Sequence, residues 1–341
     1  MFSNRSTVRI AVLLVALVGV LAAGSAIAFA QAQEIVLYSG RSASLVAPLI
    51  DAFTQETGIK VSVRYGDTAA LAATILEEGR NTPADVFWAQ DAGALGALAK
   101  AGRLRTLDAA LLDLVGPAYR SSNGVWVGTS ARARVVAYNT QQLQPSDLPE
   151  SIWGFTDPKW RGKIGWAPTN ASLQAFVTAL RVLEGDERAK AWLKGIQANE
   201  PKVYANNAVA VEAVGRGEIQ VAFVNHYYLF RFLKEQGESF PARNYHTRGD
   251  AGAMVNVAGV GILDTSKRPE AARQFVEFLL SKRAQEYFAN ETTEYPVVTS
   301  YNLPLHPELK PLDEIAAPDL DLNDLDDLEG TLELMQEVGV L

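Results

Sequence analysis

Along residues 34–102 short apolar runs alternate with amphipathic stretches, and this alternation restricts the fold more than any other feature of the chain. Residues 34–38 read as a strand, 39–42 as a turn, 44–57 as an amphipathic helix carrying Leu45, Leu49, Ile50 and Phe53, and 59–65 as a second strand. Two strands joined through a helix are expected to run parallel. A helix over 68–78, a breaker at Asn81-Thr82-Pro83, a strand over 84–89 and a helix from Asp91 that ends at Gly102 continue the pattern. Residues 125–129 and 134–139 read as two separate strands, the latter crossing into a second lobe. There the grammar returns, with strands at 163–167, 202–204 and 219–224 and helices at 172–183 and 209–215. Residues 254–262 read as a return strand and 269–288 as one long helix of the first lobe. The expected fold class is α/β, a largely parallel sheet covered by helices, in two lobes joined by a two-strand hinge with an interlobe cleft.

The amino end carries Arg5 and Arg9, an apolar run over 10–30 and a small-residue boundary at Ala28-Phe29-Ala30. This is the form of a secretory signal, so residues 1–32 are assigned to a cleaved signal peptide. The lobes are then expected at 33–134 with 258–308, and at 135–257 with 309–341, the second including an acidic C-terminal helix. The chain has no cysteine, which excludes a lipid-modified export signal, disulfides and thiolate metal sites. The exported part is expected to be soluble, periplasmic or otherwise extracytoplasmic, and monomeric. Removing the signal takes away two arginines and no acids, so the formal charge falls from −8 to −10. With its positive residues scattered, so acidic a chain is not expected to bind nucleic acid.

Residues 219–224 are apolar and lead into Asn225-His226-Tyr227-Tyr228. The two tyrosines therefore stand at a strand's carboxyl end, the edge at which open α/β sheets bind ligands. Neighbouring residues of a strand face opposite ways, so both phenols can reach one ligand only where the backbone leaves the strand. Only a hard, highly charged cation would bring a phenol's pKa from about 10 to below neutrality, and ferric iron is the candidate. The other reading is that two aromatic rings simply cover the sheet edge. In the tail, Asp319 to Gly330 opens like a calcium loop but has Asp324 where the turn glycine belongs, and Leu325, Leu328, Leu332 and Met335 instead suggest a docked amphipathic helix.

Leu37-Tyr-Ser-Gly-Arg41, Phe53 to Val61, Pro83-Ala-Asp-Val-Phe87, Ala137-Tyr-Asn139, Ile164 to Thr169 and Val224-Asn-His-Tyr-Tyr228 together resemble the ferric-iron-binding proteins of bacterial ABC importers, the bacterial transferrins. The resemblance implies a type II periplasmic-binding-protein fold with iron held between the lobes. It implies that Tyr227 and Tyr228 are the paired phenolate ligands and Tyr138 the third tyrosine that some branches use. Where other branches place a His and a Glu ligand, this chain has Ser42 and Gln90, so an exogenous anion, carbonate or phosphate, is expected to complete the shell. Asn170, Ala171, Ser172, Asn207 and Asn225 match the positions that hold phosphate in one branch, and Arg41, Arg132 and Arg134 are the cations considered for carbonate. Three phenolates would balance the three charges of the ion. His226 is expected to support the site and Tyr295 to pack near the hinge.

The implied function is capture of ferric iron and its delivery to an inner-membrane ABC permease, with no enzymatic activity. A receptor of the same fold for another solute (an oxyanion, a polyamine or thiamine) is the nearest alternative. A secreted hydrolase is disfavoured because Gly128-Thr-Ser130-Ala-Arg132 lacks the last glycine of a nucleophile elbow, no His-Glu-x-x-His occurs, and the chain has 3 His.

Overall fold

The computed structural model describes residues 34–341, so the expected signal at 1–32 lies outside the described residues. The strands are β1 (Glu34–Ser39), β2 (Lys60–Tyr65), β3 (Val86–Ala89), β4 (Val127–Asn139), β5 (Ile164–Trp166), β6 (Lys202–Val203), β7 (Val221–Asn225), β8 (Ala242–Tyr245), β9 (Val255–Ile262) and β10 (Tyr295–Pro296). They lie in the order β2-β1-β3-β9-β4-β7-β5-β6, with β8 and β10 also pairing with β4. The outer pairs are parallel, whereas β9 is antiparallel to both β3 and β4, and β4 is antiparallel to β7.

The structure merges two expected strands into one. β4 is a single 13-residue strand, buried along its whole length, whose Val127–Ala133 part pairs with β9 and whose Arg134–Asn139 part pairs with β7 and β8. Ser130 and Arg132 break its apolar pattern and hide its continuity, because their polar groups serve the cleft rather than a turn. β4 thus belongs to both halves of the molecule, and each half has its own aromatic core. Phe53 packs edge-on against Phe275 at 5.0 Å in one, and Trp192 lies 4.9 Å from Phe176 and 5.6 Å from Phe223 in the other.

The helices are α1 (Ala43–Thr57), α2 (Thr68–Glu78), α3 (Ala92–Lys100), α4 (Ala109–Leu112), α5 (Ala171–Glu184), α6 (Asp186–Ala198), α7 (Asn207–Gly215), α8 (Tyr227–Gln236), α9 (Pro269–Leu280), α10 (Lys282–Asn290) and α11 (Leu328–Glu337). The long helix expected over 269–288 is two. Ser281 is extended, with ψ 157°, and its hydroxyl accepts the Ala284 N–H, so it ends α9 and caps α10. Gly40, between β1 and α1, shows why the first cleft-side turn needs glycine: a Cβ there would stand 2.1 Å from Thr68 Oγ1.

The tail does not sit on the second half alone. Leu325 is fully buried, and its carbonyl and Asp326 press on α3 where Gly93 and Gly96 leave room. Asn323 accepts the Ser122 N–H, still on the first half. α11 then docks on the second half, where Arg181 grips Asp327 at 2.8 Å and Thr178 meets Thr331 at 2.8 Å. Residues 321–337 therefore tie the two halves together.

Candidate functional site

β7 ends at Asn225, His226 already has helical φ and ψ, and α8 begins at Tyr227. The adjacent tyrosines occupy the first turn of a helix, where successive side chains are turned by about 100° rather than 180°. Their rings lie side by side, with centroids 4.4 Å apart and planes 35° from parallel. Both phenols also stand at the positive end of α8, which favours an anionic oxygen. Together with Gly40, Arg41, Gln90 and Asn170 they line a cleft of about 850 Å³ between the two halves. The Tyr227 hydroxyl is buried and has no hydrogen-bond partner among the described residues. The Tyr228 phenol is held well above its ordinary pKa, first by burial and then by Tyr227 beside it, while Arg41 and Arg132 pull the other way. Such a phenol ionises when a stronger positive charge enters the cleft.

Behind the tyrosines lies a connected set of polar side chains. The Asn170 Oδ1 caps α5 by accepting from the Ser172 N–H at 3.1 Å, and it also accepts from the Ser172 hydroxyl at 2.6 Å and Asn207 Nδ2 at 3.3 Å. Asn207 Nδ2 also donates to Ser172 Oγ at 3.0 Å, and Arg134 donates to Ser172 Oγ at 3.2 Å and Asn225 Oδ1 at 3.4 Å. The structure thus brings Asn170, Ser172, Asn207 and Asn225 to one spot, at the N-termini of α5 and α7 and the end of β7. Gln90 reaches this network from the first half, its Nε2 lying 3.4 Å from Asn170 Oδ1. Arg132 is 1% exposed, and none of its three guanidinium nitrogens has a partner among the described residues. Asn225 Nδ2 is likewise unpartnered. Buried donors of this kind suit an oxyanion.

Two expected site residues are placed otherwise. Tyr138 pairs with Val221 at the start of β7, four residues before Asn225, which puts it about 13 Å down the strand from the tyrosine pair. It does not line the cleft, and the charge that bears on its phenol is Arg243. Of the three phenols expected to share one site, two line the cleft. Arg41 does line the cleft, but its fork is committed to Glu294, through contacts of 2.9 and 2.6 Å in which both side chains are completely buried. Glu294 also accepts from Ser130 Oγ and Thr292 Oγ1, each at 2.9 Å, and Arg41 with its hydrogen bonds holds the carboxyl below the ordinary range against the opposing effect of burial.

His226 uses both ring nitrogens. Nδ1 accepts the Ala133 N–H at 3.1 Å and Nε2 donates to the Thr293 carbonyl at 2.8 Å, so it joins β4 to the segment that carries Glu294. Burial lowers its pKa to about 4, and the ring stays neutral in a supporting role. Tyr295 donates its hydroxyl to the Lys310 carbonyl, a packing role. Ser42 stands on the exposed turn at the cleft mouth. Sequence reasoning missed Glu294 altogether, because a lone acid between Thr293 and Tyr295 carries no motif. His306 also lines the cleft, with its ring 4.8 Å from that of Phe230.

Residues 48–317 match the family of bacterial extracellular solute-binding proteins. The chain is 35% identical over 314 residues to the Fe(3+)-binding periplasmic protein of Serratia marcescens, covering 91% of each chain. It is 35% identical over 324 residues to the major ferric iron-binding protein of Neisseria meningitidis serogroup B, covering 90% of this chain and 93% of that one. The crystal structure of iron-bound HitA from Pseudomonas aeruginosa superposes with a TM-score of 0.85 at 38% identity, over 90% of this chain and 99% of the other. The two α/β halves around a cleft are shared with that fold, and the chain belongs to the bacterial extracellular solute-binding proteins, among the periplasmic ferric-iron-binding proteins.

Proposed function

We propose that this protein captures one ferric ion between its halves, with Tyr227 and Tyr228 as phenolate ligands and an oxyanion completing the shell, and delivers it to an inner-membrane ABC permease. It is a binding protein for transport, not an enzyme. The observation that carries this reading is the placement of two phenols in the first turn of α8, side by side in the cleft, beside a fully buried guanidinium with no partner of its own. Among the described residues no group of three or more His, Cys, Asp or Glu could hold a metal, and in this reading the ligands are phenolate oxygens and the anion. Arg132, Asn225 Nδ2 and the capped N-termini of α5 and α7 are the groups that would hold carbonate or phosphate. The receptor acts as a periplasmic monomer after removal of residues 1–32.

The test is metal analysis with a visible spectrum on protein purified from the periplasm of cells grown in iron. One iron per chain and a phenolate charge-transfer band are expected. A colourless protein that stays colourless on addition of ferric salt with bicarbonate or phosphate would refute the reading and favour another solute.

A further inference from the structure

The reading above leaves one buried acid beside the site without a role. Asp91 follows the end of β3 and caps α3, its Oδ1 accepting the Ala94 N–H at 3.4 Å. The other carboxylate oxygen, Oδ2, is buried with no partner, and the residue is 3% exposed. Asn256 places it. On β9, Asn256 is directly opposite Arg132 of β4, so their Cβ atoms lie about 5 Å apart, and its Oδ1 accepts the N–H of Ala92, next to Asp91. A lone buried carboxylate, next to the cleft residue Gln90, and a lone buried guanidinium, within electrostatic range of Tyr227, therefore lie near one another behind the cleft without forming an ion pair. Capping α3 does not require an acid, since Asn or Ser would do it without bringing a charge into the interior.

We propose that Asp91 selects the charge of the anion that accompanies iron, and so sets the preference for carbonate over phosphate; this rests on the phenolate and anion reading above. Arg41 and Glu294 cancel one another, and Asp91 offsets one of the two remaining floor cations, Arg132 and Arg134, leaving one net positive charge. A ferric ion with two phenolates adds one more. A dianion balances the two, and carbonate reaches no charge beyond that. Phosphate can shed a further proton and bind as a trianion. A neutral residue at position 91 leaves an extra positive charge that only phosphate can meet. The outer cleft residues Asp67, Arg231, Lys234, Glu235, Glu238 and Glu291 lie in solvent, where their influence on the floor is screened. The groups bearing on Asp91 itself are Arg132 and the N–H groups of Gly93 and Ala94.

The experiment compares wild type with Asp91→Asn at pH 8, where Asp91 is ionised. Ferric iron is titrated by equilibrium dialysis and visible absorbance in buffer freed of both anions, then with bicarbonate alone and with phosphate alone. Asp91→Asn is expected to shift the ratio of the two apparent affinities toward phosphate by about tenfold or more, the scale of one unscreened charge at this range. Asp91→Glu, which restores the charge, returns the ratio toward wild type. Asp91→Ser, a second neutral cap, replaces the Asn variant should that one misfold. An unchanged ratio in the neutral variant, with wild-type iron binding still anion-dependent, would overturn the role of Asp91 alone. Wild-type binding independent of both anions would overturn the anion reading itself and this role with it.

Discussion

Replacing Glu294 with Gln should destabilise the half of the molecule that carries β1, β3 and α9, and the structure sets the size of the effect. Glu294 and Arg41 are each completely buried, their two oxygens and two terminal nitrogens meet at 2.9 and 2.6 Å, and Ser130 and Thr292 add two hydroxyl donors. The amide keeps the shape and some acceptor capacity but leaves a guanidinium charge uncompensated in the interior, a loss on the order of 3–5 kcal/mol. Replacing both partners with Met removes the charge and the need for it together, so Arg41→Met with Glu294→Met should recover at least half of the loss. The unrecovered part reflects the Ser130 and Thr292 hydroxyls, at about 1 kcal/mol each. Urea unfolding followed by tryptophan fluorescence reads the loss, since Trp88 and Trp126 are fully buried in this half and Trp192 in the other. A Glu294→Gln cost below about 1 kcal/mol, or a double variant as unstable as the sum of the singles, would refute the argument that the pair organises the cleft wall.

Tyr227→Phe and Tyr228→Phe should each lower iron affinity by orders of magnitude, read by equilibrium dialysis, while changing the urea midpoint by roughly 1 kcal/mol or less because packing is retained. Tyr138→Phe should leave the charge-transfer band and iron affinity unchanged, since that phenol is a strand's length from the cleft. Iron and colour should be lost together as pH falls, protons competing for the phenolates, and an iron content steady down to about pH 4 would contradict phenolate ligation. For the iron-free protein, burial raises the Asp91 pKa to about 6 from an ordinary 3.8, so its ionised form weakens folding above pH 6 and the penalty fades as pH falls through that window. Asp91→Asn should accordingly be more stable than wild type by about 3 kcal/mol at pH 8, with the difference shrinking toward zero near pH 4 in paired urea titrations.

Much of the fold was legible because its signals are local. The β1, α1, β2 unit and the helices at 68–78 and 171–184 announce themselves through apolar spacing and turn residues, and the tyrosine corner is found where polar residues end a buried strand. The misreadings are those in which a tertiary environment overrides a local signal. β4 was divided because Ser130 and Arg132 read as surface residues, yet the cleft floor consumes their polarity. The helix over 269–288 was joined across Ser281 because its apolar period continues through the break, and only the cap reveals two axes. α6 and β8 went unread because their patterns are mostly polar.

The site divides along the same line. Asn170, Ser172, Asn207 and Asn225 each stand where a strand gives way to a helix, a position that sequence marks, and the fold gathers them into one hydrogen-bonded group. Tyr138 was carried by the resemblance alone, and its register opposite Val221 puts it away from the residues that line the cleft. Arg41 lines the cleft with its guanidinium paired to Glu294, 253 residues away in sequence, and no local pattern links the two. Side chains at the cleft come from short, patterned corners, whereas the charges around them are matched across the whole chain. A reading from sequence alone therefore finds the phenols of such a cleft but not the pairing of its charges, since Tyr138 stands away from the cleft and Arg41 is matched by Glu294.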